Sequence, residues 1–140
     1  MKRRPIVGGN WKMNLTLPQG LALTASLRKV WDGTGVTGKA GVILFPGFPL
    51  LPDVGKSLRG SLVELGAQNL ACEERGAFTG EVSGEMLTSV GAAWVLVGHS
   101  ERRKIYGETD KVVAGKLQRA LDSGLKPLLC VGETLQERDA

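Results

Sequence analysis

Four polar residues stand just past two apolar runs of this 140-residue sequence. Asn10 and Lys12 follow Ile6-Val7-Gly8-Gly9, and His99 and Glu101 follow Ala93-Trp94-Val95-Leu96-Val97. If both runs are parallel strands of one sheet, their carboxyl ends bring the set to one mouth, where α/β folds collect functional groups. Lys12 sits between Trp11 and Met13, directly after a strand, which favours a role over a merely solvated side chain. Asn10 suits a turn as well as a ligand. His99 immediately precedes Ser100-Glu101, where the pattern predicts a helix start. A helix N-terminus presents free N–H groups and partial positive charge, so it disfavours imidazolium while a neutral ring still donates a hydrogen bond. Ser100 beside His99 makes no nucleophile–base pair, because adjacent side chains point apart, and no GxSxG elbow is present. Neither GxGxxG nor GxxxxGK[ST] occurs, which leaves a nucleotide site weakly supported.

These residues need a scaffold, and the apolar runs supply one. Strands are predicted to start near positions 6, 42, 63, 93 and 127. Several are almost continuously apolar, the pattern of strands covered on both faces. Helix signals fill the gaps. Thr16-Leu17-Pro18-Gln19 has capping-box spacing, with Leu17, Leu21, Leu27, Val30 and Trp31 recurring near helical spacing. Pro52-Asp53 predicts a helix start, and Ser83 a cap for a helix through Val90. Thr109-Asp110 opens another helix, with Val113, Leu117, Ala120 and Leu121 on one stripe and Gly124 as the stop. Gly33 to Gly41 reads as a surface loop. Serial βα units of about 30 residues mean either a doubly wound sheet or part of a (β/α)8 barrel. A second capping box, Thr134-Leu135-Gln136-Glu137, announces a helix that the sequence leaves about two turns long, so a truncation in the helix after strand five is expected.

Composition narrows the classes. With 42% hydrophobic and 23% charged residues the chain is globular in character. No apolar run approaches the ~20 residues of a membrane helix, and the basic start leads into a run too short for a signal peptide. Cys72 and Cys130 show no CxxC pairing, and a single histidine excludes a multi-histidine metal centre. The expectation is a cytoplasmic protein with no membrane partner and no metal. The net charge of +4 suits a small anionic substrate, and without interleaved aromatics it predicts no nucleic-acid partner.

Five segments in order resemble one family: Gly9-Asn10-Trp11-Lys12-Met13-Asn14, Gly66-Ala67-Gln68-Asn69, Gly76-Ala77-Phe78-Thr79-Gly80-Glu81, Val97-Gly98-His99-Ser100-Glu101-Arg102-Arg103 and Cys130-Val131-Gly132-Glu133-Thr134-Leu135. They resemble triosephosphate isomerases. The resemblance implies an α/β fold of the (β/α)8 TIM-barrel family, here an incomplete barrel of about five parallel strands, with residues 1–140 the N-terminal part of a single domain. It implies an isomerase that interconverts dihydroxyacetone phosphate and glyceraldehyde 3-phosphate by enediolate proton transfer, without a cofactor, as a homodimer. By motif position, Lys12 is expected to neutralise phosphate and enediolate charge and Asn10 to bind substrate oxygens. His99 is expected to be the neutral electrophile, a property carried by the family and not by the spacing here. Glu101 is expected to pair with the lysine, Ser100 to support the histidine loop, and Thr79 to lie near the tip of a loop that enters a partner subunit.

The sequence departs from the family in length, since such barrels run to about 250 residues. It has no counterpart of the base glutamate in an Ala-Tyr-Glu-Pro-Val-Trp-like block, of the lid after strand six, or of the glycine-rich phosphate grip after strands seven and eight. Glu101 and Glu133 do not sit in the base's motif. Two alternatives follow. One is a non-catalytic fragment, or half of a split barrel, acting as a dimerisation scaffold. The other is an open-sheet phosphate-binding module.

Overall fold

The central apolar runs become strands because both of their faces find cover, and the outer two pair against them. In a computed structural model that describes residues 4–33, 39–133 and 135–140, they form one parallel sheet in the order β1-β2-β3-β4-β5. The strands are β1 Ile6–Asn10, β2 Gly41–Phe45, β3 Val63–Ala67, β4 Trp94–Val97 and β5 Lys126–Leu129. Between them run α1 Leu17–Gly33, a 3-10 turn at Phe48–Leu50, α2 Leu51–Ser57, α3 Gly84–Ser89, α4 Ser100–Tyr106 and α5 Asp110–Asp122, and α6 Leu135–Arg138 follows β5. Register aligns Asn10 with Phe45 and Val97 with Leu129, so the carboxyl ends finish together.

Alternate residues serve two cores. Leu44, Leu65, Ala67, Val95 and Val97 pack with Leu51, Val54, Leu87, Val113 and Ala120 of the helices. Ile43, Phe45 and Leu96 form a smaller cluster on the concave face, with Trp94, Leu128 and Cys130 against it. This two-sided burial produces the unbroken apolar runs. The arrangement is a curled, incomplete TIM barrel. Among the described residues, the outer edges of β1 and β5 pair with no strand. Ile6 and Val7 stay exposed there, as unpaired edges dictate.

Caps fall where the sequence puts them. Ser83 Oγ accepts from Met86 N–H and Thr109 Oγ1 from Val112 N–H, and Gly124 has φ +74°. The Thr16 box is only half formed. Gln19 Oε1 accepts the Thr16 N–H at 2.9 Å, but the Thr16 hydroxyl donates to that same oxygen and caps no helix N–H.

Helix α1 keeps its predicted stripe only in part: Trp31 packs against the main core and Leu21 is half-buried. Leu17, Leu27 and Val30 are exposed, while Gly20 and Thr24 are buried. The helix packs through its small residues: a Cβ on Gly20 would lie 3.1 Å from the Trp11 ring and 3.2 Å from Leu50. Thr24 meets its hydroxyl's demand locally, donating to Gly20 O at 2.7 Å. In α5, Leu121 is exposed and Lys116 is buried in its place among Val113 and Ala120. Positions 34–38 of the predicted loop and Thr134 of the second capping box lie outside the described residues.

Candidate active site

The turn after β1 is built around Lys12. Its backbone has φ +54°, a region that costs a residue with a side chain about 1–2 kcal/mol and persists only where neighbours enforce it. Asn10 Oδ1 accepts the Lys12 N–H at 3.0 Å. The Gln68 amide, from the loop after β3, donates to Lys12 O at 2.9 Å and to Phe45 O at 2.8 Å. Trp11 is buried as the anchor, its N–H given to Phe45 O at 3.1 Å. Held this way, the Lys12 side chain meets Glu101 across the mouth, Nζ to Oε1 2.6 Å. Both groups are about half exposed, so the pair adds little stability; it fixes where the ammonium stands. The Lys12 hydrogen bond holds the Glu101 carboxyl below the usual glutamate range.

His99 is the N-cap of α4. The Glu101 N–H donates to its Nδ1 at 3.2 Å. A ring nitrogen that accepts carries no proton, which assigns the proton of the neutral ring to Nε2. Glu101 Oε2 also lies 3.5 Å from Nδ1. Gly98 makes the turn that delivers the ring: its φ is +69°, and a Cβ would lie 2.9 Å from Val113 Cγ1. Arg103 Nε closes the turn on Gly98 O at 2.9 Å. An open cleft of about 630 Å³ between the ends of β4 and β5 is lined by His99, Ser100, Cys130, Gly132 and Glu133, among others.

The structure therefore brings Asn10, Lys12, His99 and Glu101 together. Ser100 opens α4 on its exposed side. Thr79 belongs to an exposed loop between Gly76, φ +133°, and Gly80, φ +91°. Among the described residues no hydrogen bond or ion pair joins Thr79 to the Lys12 group. Glu133 is largely exposed and pairs with Arg138 at 3.8 Å.

Sequence reading missed Gln68 as the clamp on Lys12, and it missed a buried charged cluster behind α4. Lys116 Nζ donates to Glu108 Oε1 at 2.5 Å and to Asn69 Oδ1 at 2.7 Å. Arg102 Nε donates to the same Glu108 oxygen at 2.5 Å. The available signal was Lys116 itself, a charge at helical spacing between Val113 and Ala120. Burial pushes the Glu108 carboxyl up, but hydrogen bonds from Lys116 and Arg102 outweigh it and hold it below its ordinary value. A carboxylate depressed by folding contributes stability above its unfolded pKa and loses it as pH falls through the folded one. The parent's stability to urea should therefore fall as pH drops from the ordinary glutamate range downward. Glu108→Gln should be less stable at neutral pH and flatter over that same acid range; equal slopes would refute the assignment.

A curled parallel sheet whose five strands follow one another in chain order, with a lysine after β1 and a capping histidine after β4 at its carboxyl mouth, places the chain among (β/α)8-barrel proteins as an incomplete barrel. The family model described as triosephosphate isomerase matches residues 5–140, and the chain belongs to that family. A triosephosphate isomerase of Rhodopirellula baltica is 48% identical over 140 residues, all of this chain and 54% of that protein. One of Chlorobium phaeobacteroides is 46% identical over 138 residues, covering 99% of this chain and 54% of its own length. The crystal structure of triosephosphate isomerase from Bartonella henselae superposes with a TM-score of 0.87 at 39% identity, over 98% of this chain and 55% of that one. The chain thus spans about half the length of the curated relatives it matches.

Proposed function

We propose that this chain carries the electrophilic half of an isomerase site that interconverts dihydroxyacetone phosphate and glyceraldehyde 3-phosphate through an enediolate. The observation that carries the reading is the Glu101 N–H on His99 Nδ1. It leaves Nε2–H as the donor of a neutral ring, suited to polarise a carbonyl and to pass a proton along the enediolate. Such a bond strengthens as negative charge builds on the carbonyl oxygen, which is what lowers a barrier. Lys12, steered by Glu101, neutralises the phosphate and the growing oxyanion. Asn10 shapes the Lys12 turn through Oδ1 and offers its amide N–H groups to substrate oxygens. Ser100 supports the histidine turn. The general base comes from the part of the barrel that the relatives have beyond this match. Thr79 and its loop enter a second copy in a homodimer. Two free cysteines suit a reducing cytoplasm.

The test is reconstitution. The 140-residue chain is mixed with a polypeptide holding strands six to eight of the Rhodopirellula baltica relative, and conversion of dihydroxyacetone phosphate is followed by a coupled assay. The mixture should turn over, and Lys12→Met or His99→Gln should each remove about 10²–10³-fold, the usual worth of one aimed donor. Turnover that survives both substitutions would end the proposal.

A further inference from the structure

Glu108, Lys116 and Asn69 are 8%, 5% and 7% exposed. A buried ion pair is a poor source of stability, because desolvating two charges offsets most of their attraction, and well-packed apolar residues do as well or better. This cluster therefore calls for another reason to be there, and its connections supply one. Asn69, which accepts from Lys116, directly follows Gln68, whose amide holds the backbone carbonyl of Lys12. Arg102, which donates to Glu108, directly follows Glu101, whose carboxylate holds the Lys12 ammonium. The Glu108 N–H returns to Arg102 O at 3.2 Å, binding the end of α4 to the cluster. The two arms that grip Lys12, one at its backbone and one at its side chain, are thus tied to each other through Glu108, Lys116 and Asn69.

We propose that this buried cluster is a positioning device for Lys12: it locks the loop after β3 to α4, so that Gln68 and Glu101 hold the lysine at one place in the mouth. Asn69, Lys116 and Glu108 are positioning residues and touch no substrate. What the fixed ammonium is for rests on the isomerase reading, but the coupling itself exists with no substrate present.

The test uses that independence. Carboxyl-carbon NMR follows the titration of Glu101 in the 140-residue chain, in Asn69→Ala, in Glu108→Gln and in Val54→Ala, a core truncation in α2 outside the cluster. In the parent, Glu101 titrates below the ordinary glutamate midpoint because Lys12 bonds to it. In Asn69→Ala and Glu108→Gln the midpoint should rise toward the ordinary value as Lys12 loosens; in Val54→Ala it should stay at the parent's. Asn69→Ala cuts the tie to Gln68 yet leaves Lys116 and Arg102 on Glu108, so it decides the matter if Glu108→Gln fails to fold. An unmoved Glu101 midpoint in a folded Asn69→Ala overturns the proposal. So does an equal rise in Val54→Ala, which would make the effect one of general loosening. Failure of the reconstitution assay would sink the isomerase reading and leave this result standing.

Discussion

Taken alone, the 140 residues should convert dihydroxyacetone phosphate no faster than their own His99→Gln variant. Enediolate formation needs a base to remove a carbon-bound proton as well as an electrophile to receive the charge. Two carboxylates lie near the mouth. Glu101 is bonded to Lys12 at 2.6 Å and held below the usual glutamate range by that bond, and a carboxylate that weak takes a proton from carbon poorly. Glu133 is exposed and already engaged by Arg138 at 3.8 Å. General acid–base catalysis contributes typically about 10²–10⁴-fold, and its loss leaves the electrophile little to act on. The measurement is a coupled assay of matched preparations of parent and His99→Gln. Clear turnover in the parent that vanishes in the variant would mean that a base is present among these residues.

The second large effect is structural. The Phe45 ring, 1% exposed, lies on the concave face between a glycine of β1 and a glycine of β3. A Cβ on Gly66 would sit 2.3 Å from Phe45 Cε1 and 2.5 Å from Cδ1, and one on Gly8 would sit 3.2 Å from Cε2. The first cannot be accommodated unless a fully buried ring moves; the second asks for a few tenths of an ångström. Gly66→Val should cost about 3 kcal/mol, the upper part of the range for overpacking, against a total stability of about 5–15 kcal/mol for a domain. Gly8→Ala should cost about 1 kcal/mol, the low end of that range. Phe45→Leu should recover part of the loss in a Gly66→Val background, because neighbours sharing one space do not behave additively. Urea midpoints of the four chains give the comparison, and a Gly66→Val midpoint equal to the parent's would remove the ring from its assigned place.

What the sequence disclosed and what it hid follow from period and distance. The central strands were legible because they are apolar runs with cover on both faces, Ile43, Leu44 and Phe45 being buried in succession, and the outer two because they are short apolar runs at the same spacing. Asn10, Lys12, His99 and Glu101 were legible because each stands just past such a run. Helix α1 misled because close approach selects Gly20 and Thr24, residues that carry no hydrophobic signal, and leaves Leu17 and Val30 outside. The Glu108 cluster was hidden because its members are 47 and 8 positions apart along the chain, and only the fold brings them together. The Gln68 clamp on Lys12 spans 56 positions and is equally silent in sequence.

The neighbour-by-neighbour strand order also bears on how the chain is made. Each strand pairs with the one synthesised before it, β2 on β1 through to β5 on β4. A ribosome therefore releases these units in the order in which they dock, and no early strand idles while a distant partner is translated. Short separations between pairing strands also keep the loop-closure cost of each addition low. The outer edges of β1 and β5, which pair with no strand among the described residues, stand outside this order.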